Sequence, residues 1–170
     1  VHHGAIWLAI KSGGELSERA RGLAVKVWPA LVIVAVLFLV WTAFATQLYS
    51  NYLKSPLLFV VPLAAVAGLV LVRPATGAGR MWRAFAFSAL TIVGVAFFGV
   101  IGLYPALLPS SLNPGWSMTI MNSASSPLTL KIMLTVALIF VPIVIAYQAW
   151  VYKTFSHKIT QADLDYEEAY

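Results

Sequence analysis

The 170-residue chain has no cysteine, which excludes disulfide frameworks, thiolate metal sites and a cysteine nucleophile. It is also poor in charge. Only 10% of its residues are Asp, Glu, Lys or Arg, against roughly 25% in soluble domains. The missing charge is concentrated in particular places: no ionic side chain occurs between Ala84 and Leu130, nor inside any of the long apolar stretches. Proton-coupled transporters and pumps place carboxylates within the membrane, so this segment is not expected to conduct protons alone. There is no G-x-x-x-x-G-K-[ST] loop, no H-E-x-x-H pair and no G-x-S-x-G elbow, hence no signature of independent catalysis. The formal charge of +5 does not indicate nucleic-acid binding, because the basic residues are spread along the chain and form no dense patch.

What remains is apolar. Hydrophobic residues make up 61% of the chain, and the mean hydropathy is +0.86. A membrane crossing needs about 20 mostly apolar residues, because every backbone N–H and C=O in hydrocarbon must find its partner within the helix. Four stretches meet that requirement, at about 27–46, 55–72, 84–104 and 132–152. The fold class expected is therefore an all-α membrane protein, a four-transmembrane-helix bundle over 27–155 with an uncharged external loop at 105–131. Orientation follows from the basic residues, which are retained in the cytoplasm near span ends. Nine of the eleven (Lys11, Arg19, Arg21, Lys26, Arg73, Arg80, Arg83, Lys153 and Lys158) fall on one side, and only Lys54 and Lys131 on the other. Both ends of the bundle are expected in the cytoplasm.

Residues 1–10 are apolar apart from His2 and His3. Ten helical residues reach only about 15 Å, half the hydrocarbon thickness, so they read as the tail of a truncated preceding helix. Gly13-Gly14 ends it. Over 11–26 a cytoplasmic amphipathic connection follows, with Leu16, Ala20, Leu23 and Val27 on one face and a Glu15–Arg19 pair in support; it is expected on the membrane surface. Residues 156–170, with Asp163, Asp165, Glu167 and Glu168, form a solvated cytoplasmic tail. The external loop is the unusual part, since a solvated loop of that length carries charge and this one has none from Ser110 to Leu130; burial against protein is expected. Ser126 and Pro127 read as the cap and first position of the fourth span.

Several residues invite a chemical reading. His2 and His3 are the only histidines placed to lie within the membrane, where an ionisable side chain is a functional suspect: haem ligand or proton carrier on one reading, hydrogen-bonded helix-end histidines on the other, which is the more common case. The methionines Met81, Met118, Met121 and Met133 read as packing before axial ligands. Lys131 reads as a snorkelling cation at a helix mouth before a contact for an anionic group. Ala64 with Gly68, Ala84 with Ser88, and Gly94, Gly99 and Gly102 are expected at close helix contacts. Thr42, Gln47, Ser88, Thr91, Thr135 and Gln148 are expected to bond across helices or back to the backbone.

The segment Gly102-Leu-Tyr-Pro-Ala-Leu-Leu-Pro-Ser-Ser-Leu-Asn-Pro, then Ser117-Met-Thr-Ile, then Asn122-Ser-Ala-Ser-Ser-Pro-Leu-Thr-Leu-Lys-Ile-Met resembles subunit II of cytochrome bd quinol oxidases. Phe140-Val-Pro-Ile-Val-Ile-Ala-Tyr-Gln-Ala-Trp-Val-Tyr-Lys is similar to that subunit's last helix, and His3-Gly-Ala and Glu18-Arg-Ala-Arg match further upstream. The positions carrying the resemblance are Tyr104, Pro105, Pro109, Ser110, Ser111, Thr129, Lys131 and Pro142. The family's subunit II is about twice this long, so the chain looks like its C-terminal half. The resemblance implies a bacterial or archaeal cytoplasmic-membrane complex that oxidises quinol and reduces O₂ to water. It further implies haem b and haem d on the partner subunit I, an N-terminal half of subunit II alongside, surrounding lipids, and a structural quinone or lipid as a possible guest. On this reading the chain holds no catalytic, haem-binding or metal-binding residue and acts as scaffold. Two rivals are half of a secondary transporter or channel, with Pro62 and Pro142 as helix interruptions, and a plain membrane anchor.

Overall fold

The computed structural model describes residues 1–159. The acidic tail expected at its end therefore lies largely outside the described residues. The described residues divide into two compact units, 1–104 with 158–159, and 105–157.

The first unit begins with α1 (His2–Lys11), which ends where Ser12 turns extended and Gly13 caps the next helix. Gly14 takes a positive φ of 57°, a conformation that favours glycine, so the expected break at Gly13-Gly14 is real. Helix α2 (Gly14–Ala45) then runs unbroken for 32 residues. The amphipathic stretch and the first span are thus one helix, which continues through Pro29 just past the expected junction. Its buried stripe is narrower than the expected face: Ala20 and Ala24 are buried while Leu16 and Leu23 are exposed. A short corner helix, α3 (Ser50–Lys54), leads through a 3-10 turn (Pro56–Phe59) into α4 (Val60–Gly77). Pro62 falls in the first turn of α4, where its missing N–H costs nothing. The helix continues five residues past the expected end at 72 to Gly77. Gly79, at φ 71°, makes the turn into α5 (Met81–Leu103).

Helices α4 and α5 form the most extensively packed pair, and small residues explain why. A side chain on Gly68 would stand 2.7 Å from the Phe87 carbonyl oxygen and from Thr91 Oγ1, and one on Gly94 would stand 2.7 Å from Ala65 Cβ. Gly102 abuts Leu48, whereas Gly99 has open space around it and takes no part. The partner of Gly94 is Ala65, one position on from the Ala64 that the pattern suggested. Thr91 Oγ1 donates to the carbonyls of Ala65 across the seam (3.3 Å) and Phe87 behind it (3.0 Å). Without a hydrophobic driving force in lipid, such close backbone approach and interhelical bonding supply the association. A second layer comes from α1, which packs on α2 and α5. Ile6, Ile10, Ala24, Val72, Ala75 and Ala84 form the buried cluster there, flanked by Trp7, Trp28, Met81 and Phe85.

The basic segments of this unit gather at one end. Arg21 lies beside Gly79, Arg73 stacks 4.7 Å over the Trp28 ring, and Trp28 Nε1 donates to Leu69 O at 2.8 Å. Ile159 pairs there too, its N–H donating to Lys11 O (2.8 Å) and its carbonyl accepting from Gly13 N (3.1 Å).

The second unit contains β1 (Ala106–Leu108), a 3-10 turn (Pro114–Trp116), β2 (Met118–Thr119) and α6 (Pro127–Thr154). The expected loop over 105–131 is therefore partly structured, with β1 and β2 paired antiparallel. Ser126 caps α6, its Oγ accepting from Thr129 N, and Pro127 occupies the first turn. Among the described residues four helices, Gly14–Ala45, Pro56–Gly77, Met81–Leu103 and Pro127–Thr154, are long and apolar enough to cross a membrane.

Candidate functional site

Two polar clusters interrupt the apolar surfaces of the first unit. The first joins α1 to α5. His3 Nδ1 lies 2.9 Å from Ser88 Oγ, and its ring stacks obliquely on Phe85 with centroids 4.5 Å apart. Trp7, one turn along α1, meets both Phe85 (5.2 Å) and Trp82 (6.2 Å), and Lys11 reaches back over Trp7 at 5.3 Å. His2 is buried beside this group. The cluster is a ladder of i, i+4 positions (His3, Trp7, Lys11) docked on Trp82, Phe85 and Ser88, which the helical repeat places on one face of α5.

Successive helical positions point about 100° apart, so the rings of His2 and His3 face different directions. His3 already engages Ser88 through Nδ1 and covers a ring face with Phe85. Among the described residues no group of three or more metal-ligating side chains converges. Met81 packs at the rim of the core, while Met118, Met121 and Met133 are exposed.

The second cluster lies at the opposite end of α5, and sequence reading missed it. Asn51 Nδ2 donates to the carbonyls of Ile101 (2.8 Å), Gly102 (3.4 Å) and Tyr104 (2.5 Å), closing the open carbonyl end of α5 from a neighbouring element. Tyr52 is fully buried and its hydroxyl donates to Phe98 O at 2.8 Å. Its ring packs between Phe98 and Phe59. Burial, with a smaller effect from the neighbouring Tyr49 phenol, pushes the Tyr52 hydroxyl above its ordinary range, so it stays a neutral donor. The available signal was the run Tyr49-Ser50-Asn51-Tyr52 between two spans, where hydrogen-bonding side chains meet a helix end.

The positions that carried the family resemblance have mostly backbone and turn roles. Tyr104 accepts from Asn51 through its carbonyl, and the Pro105 carbonyl accepts from Ile120 N. Ser110 Oγ accepts from the N–H groups of Leu112 and Asn113, while its own N–H donates to Ser117 Oγ. Thr129 completes the Ser126 cap, and the Lys131 carbonyl accepts from Thr135 Oγ1. Pro142 lies within α6; Pro109 and Ser111 are exposed. They hold a turn and a helix start.

Residues 1–155 match the family described as cytochrome bd terminal oxidase subunit II. A probable cytochrome oxidase subunit 2 from Haemophilus influenzae is 33% identical over 89% of this chain and 47% of its own length. The cytochrome bd-I ubiquinol oxidase subunit 2 of Escherichia coli K12 is 28% identical over 97% of this chain and 51% of its own. The cytochrome bd ubiquinol oxidase subunit 2 of Bacillus subtilis is 27% identical over 95% and 47%. The chain spans about half the length of the curated relatives it matches. A multi-pass helical chain with seams of small residues, matched along nearly its whole length, belongs to the cytochrome bd terminal oxidase subunit II family.

Proposed function

We propose that this chain is the C-terminal bundle of subunit II in a respiratory complex that oxidises quinol and reduces O₂ to water, and that it serves there as a scaffold without haem ligands. Haem b and haem d would sit on the partner subunit I, with the N-terminal half of subunit II completing the assembly. Family membership over 1–155 carries this reading. A further observation supports the scaffold role: the four spans carry no carboxylate within their apolar lengths. Their apolar faces would hold the haem subunit in shape and exclude water from the oxygen-reducing centre. The gathering of basic segments at one end of the first unit supports a cytoplasmic location for that end.

The test is affinity purification of the native complex through a tag on this chain, followed by visible spectroscopy. Haem absorption should co-elute with the chain, and His2→Ala and His3→Ala should leave haem content per complex unchanged. Recovery of the chain with no haem-bearing partner would refute the oxidase reading. Loss of one haem in either histidine variant would refute the scaffold role alone.

A further inference from the structure

A cleft of about 350 Å³ opens where α3, the 3-10 turn before α4 and the end of α5 meet. Its polar wall is Lys54, Ser55 and Asn51, and its apolar wall is Leu58, Val100 and Ile101. The carbonyls that would make this end of α5 electronegative are taken by Asn51 Nδ2. The local field is then set by the Lys54 ammonium. The acids of the described residues are Glu15 and Glu18, in the first turns of α2 and paired with Arg19 and Arg21. Lys54 has none beside it in sequence, and Ser55 adds a hydroxyl donor at its side.

We propose that this cleft binds the phosphate of an anionic phospholipid. The apolar wall decides between a lipid and a free anion. Val100 is exposed and Leu58 and Ile101 are half-buried, all three on helices long and apolar enough to cross a membrane. A ligand here meets a cation and a hydroxyl at its head and hydrocarbon below, which is the partition of a phospholipid at the interface. The inference is independent of the oxidase reading, since it uses only groups of this chain.

The experiment uses the purified native complex, delipidated in detergent and titrated with dioleoyl phosphatidylglycerol, with bound lipid counted by native mass spectrometry. The wild-type complex should hold one phosphatidylglycerol that Lys54→Gln binds about fivefold more weakly, and Lys54→Arg should retain it. Dioleoyl phosphatidylcholine, whose choline offsets the phosphate charge, should lose less affinity on Lys54→Gln than phosphatidylglycerol does, and millimolar inorganic phosphate should not displace phosphatidylglycerol. Unchanged phosphatidylglycerol affinity in Lys54→Gln would overturn the proposal. Displacement by inorganic phosphate would overturn the lipid assignment.

Discussion

The two seams on helix α5 are built on different principles. Against α4 the contact is backbone on backbone: Gly68 lies under Phe87 and Thr91, and Gly94 under Ala65, with no room for a methyl group at either. Against α1 the contact is side chain on side chain, through His3, Trp7, Trp82, Phe85 and Ser88. A backbone seam cannot yield, because helices that must separate lose every contact along their length. An aromatic seam can repack, since each ring has rotamers to spare. The comparison teaches where this chain tolerates change.

The largest expected effect is at Gly94. Gly94→Arg places a charge mid-span, at a cost of at least about 2.5 kcal/mol on insertion scales, and also forces the seam open. Membranes carrying it should contain almost no assembled complex, read as chain abundance and haem content. Gly68→Val should follow closely, because its side chain would meet the backbone carbonyl of Phe87, and overpacking of this kind costs about 1–3 kcal/mol. Equal abundance of either variant and wild type would contradict a rigid seam.

The corner at the far end of α5 should show intermediate effects. Asn51→Ala leaves the carbonyls of Ile101, Gly102 and Tyr104 short of a donor and should lower stability by about 1–2 kcal/mol, measured as thermal unfolding in detergent. Tyr52→Phe loses one bond to Phe98 O and should cost about 1 kcal/mol. The Tyr52 contribution also has a pH signature. Its folded-state value lies above the ordinary 10.0, so its stabilisation is complete below about pH 10 and falls as pH rises through the folded value. Tyr52→Phe should blunt that alkaline loss. The smallest effect belongs to the aromatic seam: Ser88→Ala should cost about 0.6 kcal/mol, the average for interhelical bonds in membranes. A loss as large as that at Gly68 would erase the distinction between the seams.

Much of the fold could be read from residue patterns, because hydropathy and helix signals act locally. The spans, the Gly13-Gly14 break and the Ser126–Pro127 helix start all rest on short-range chemistry. Three features did not follow from it. The merging of the amphipathic stretch with the first span carries the helix through Pro29, where a proline would ordinarily suggest a boundary, and amphipathicity alone does not locate a helix end. The selection of Gly68 and Gly94 over Gly99 depends on which face meets α4. The roles of Asn51 and Tyr52 depend on a contact some 50 positions away in the chain. Of the candidate site, sequence identified His3 and Ser88 separately, while their pairing across 85 positions required the fold.

The physical claim beneath all of this is that the helices cross a membrane with the arginine-rich end in the cytoplasm. The chain has no native cysteine, so a single introduced thiol can be labelled without background from the chain itself. Ala78→Cys at the α4–α5 turn and Ser111→Cys in the long connection, each treated with a membrane-impermeant maleimide, test the claim directly. Ser111→Cys should label in intact cells and Ala78→Cys only after permeabilisation. Labelling of Ala78→Cys in intact cells would contradict the orientation and, with it, the placement of the basic end.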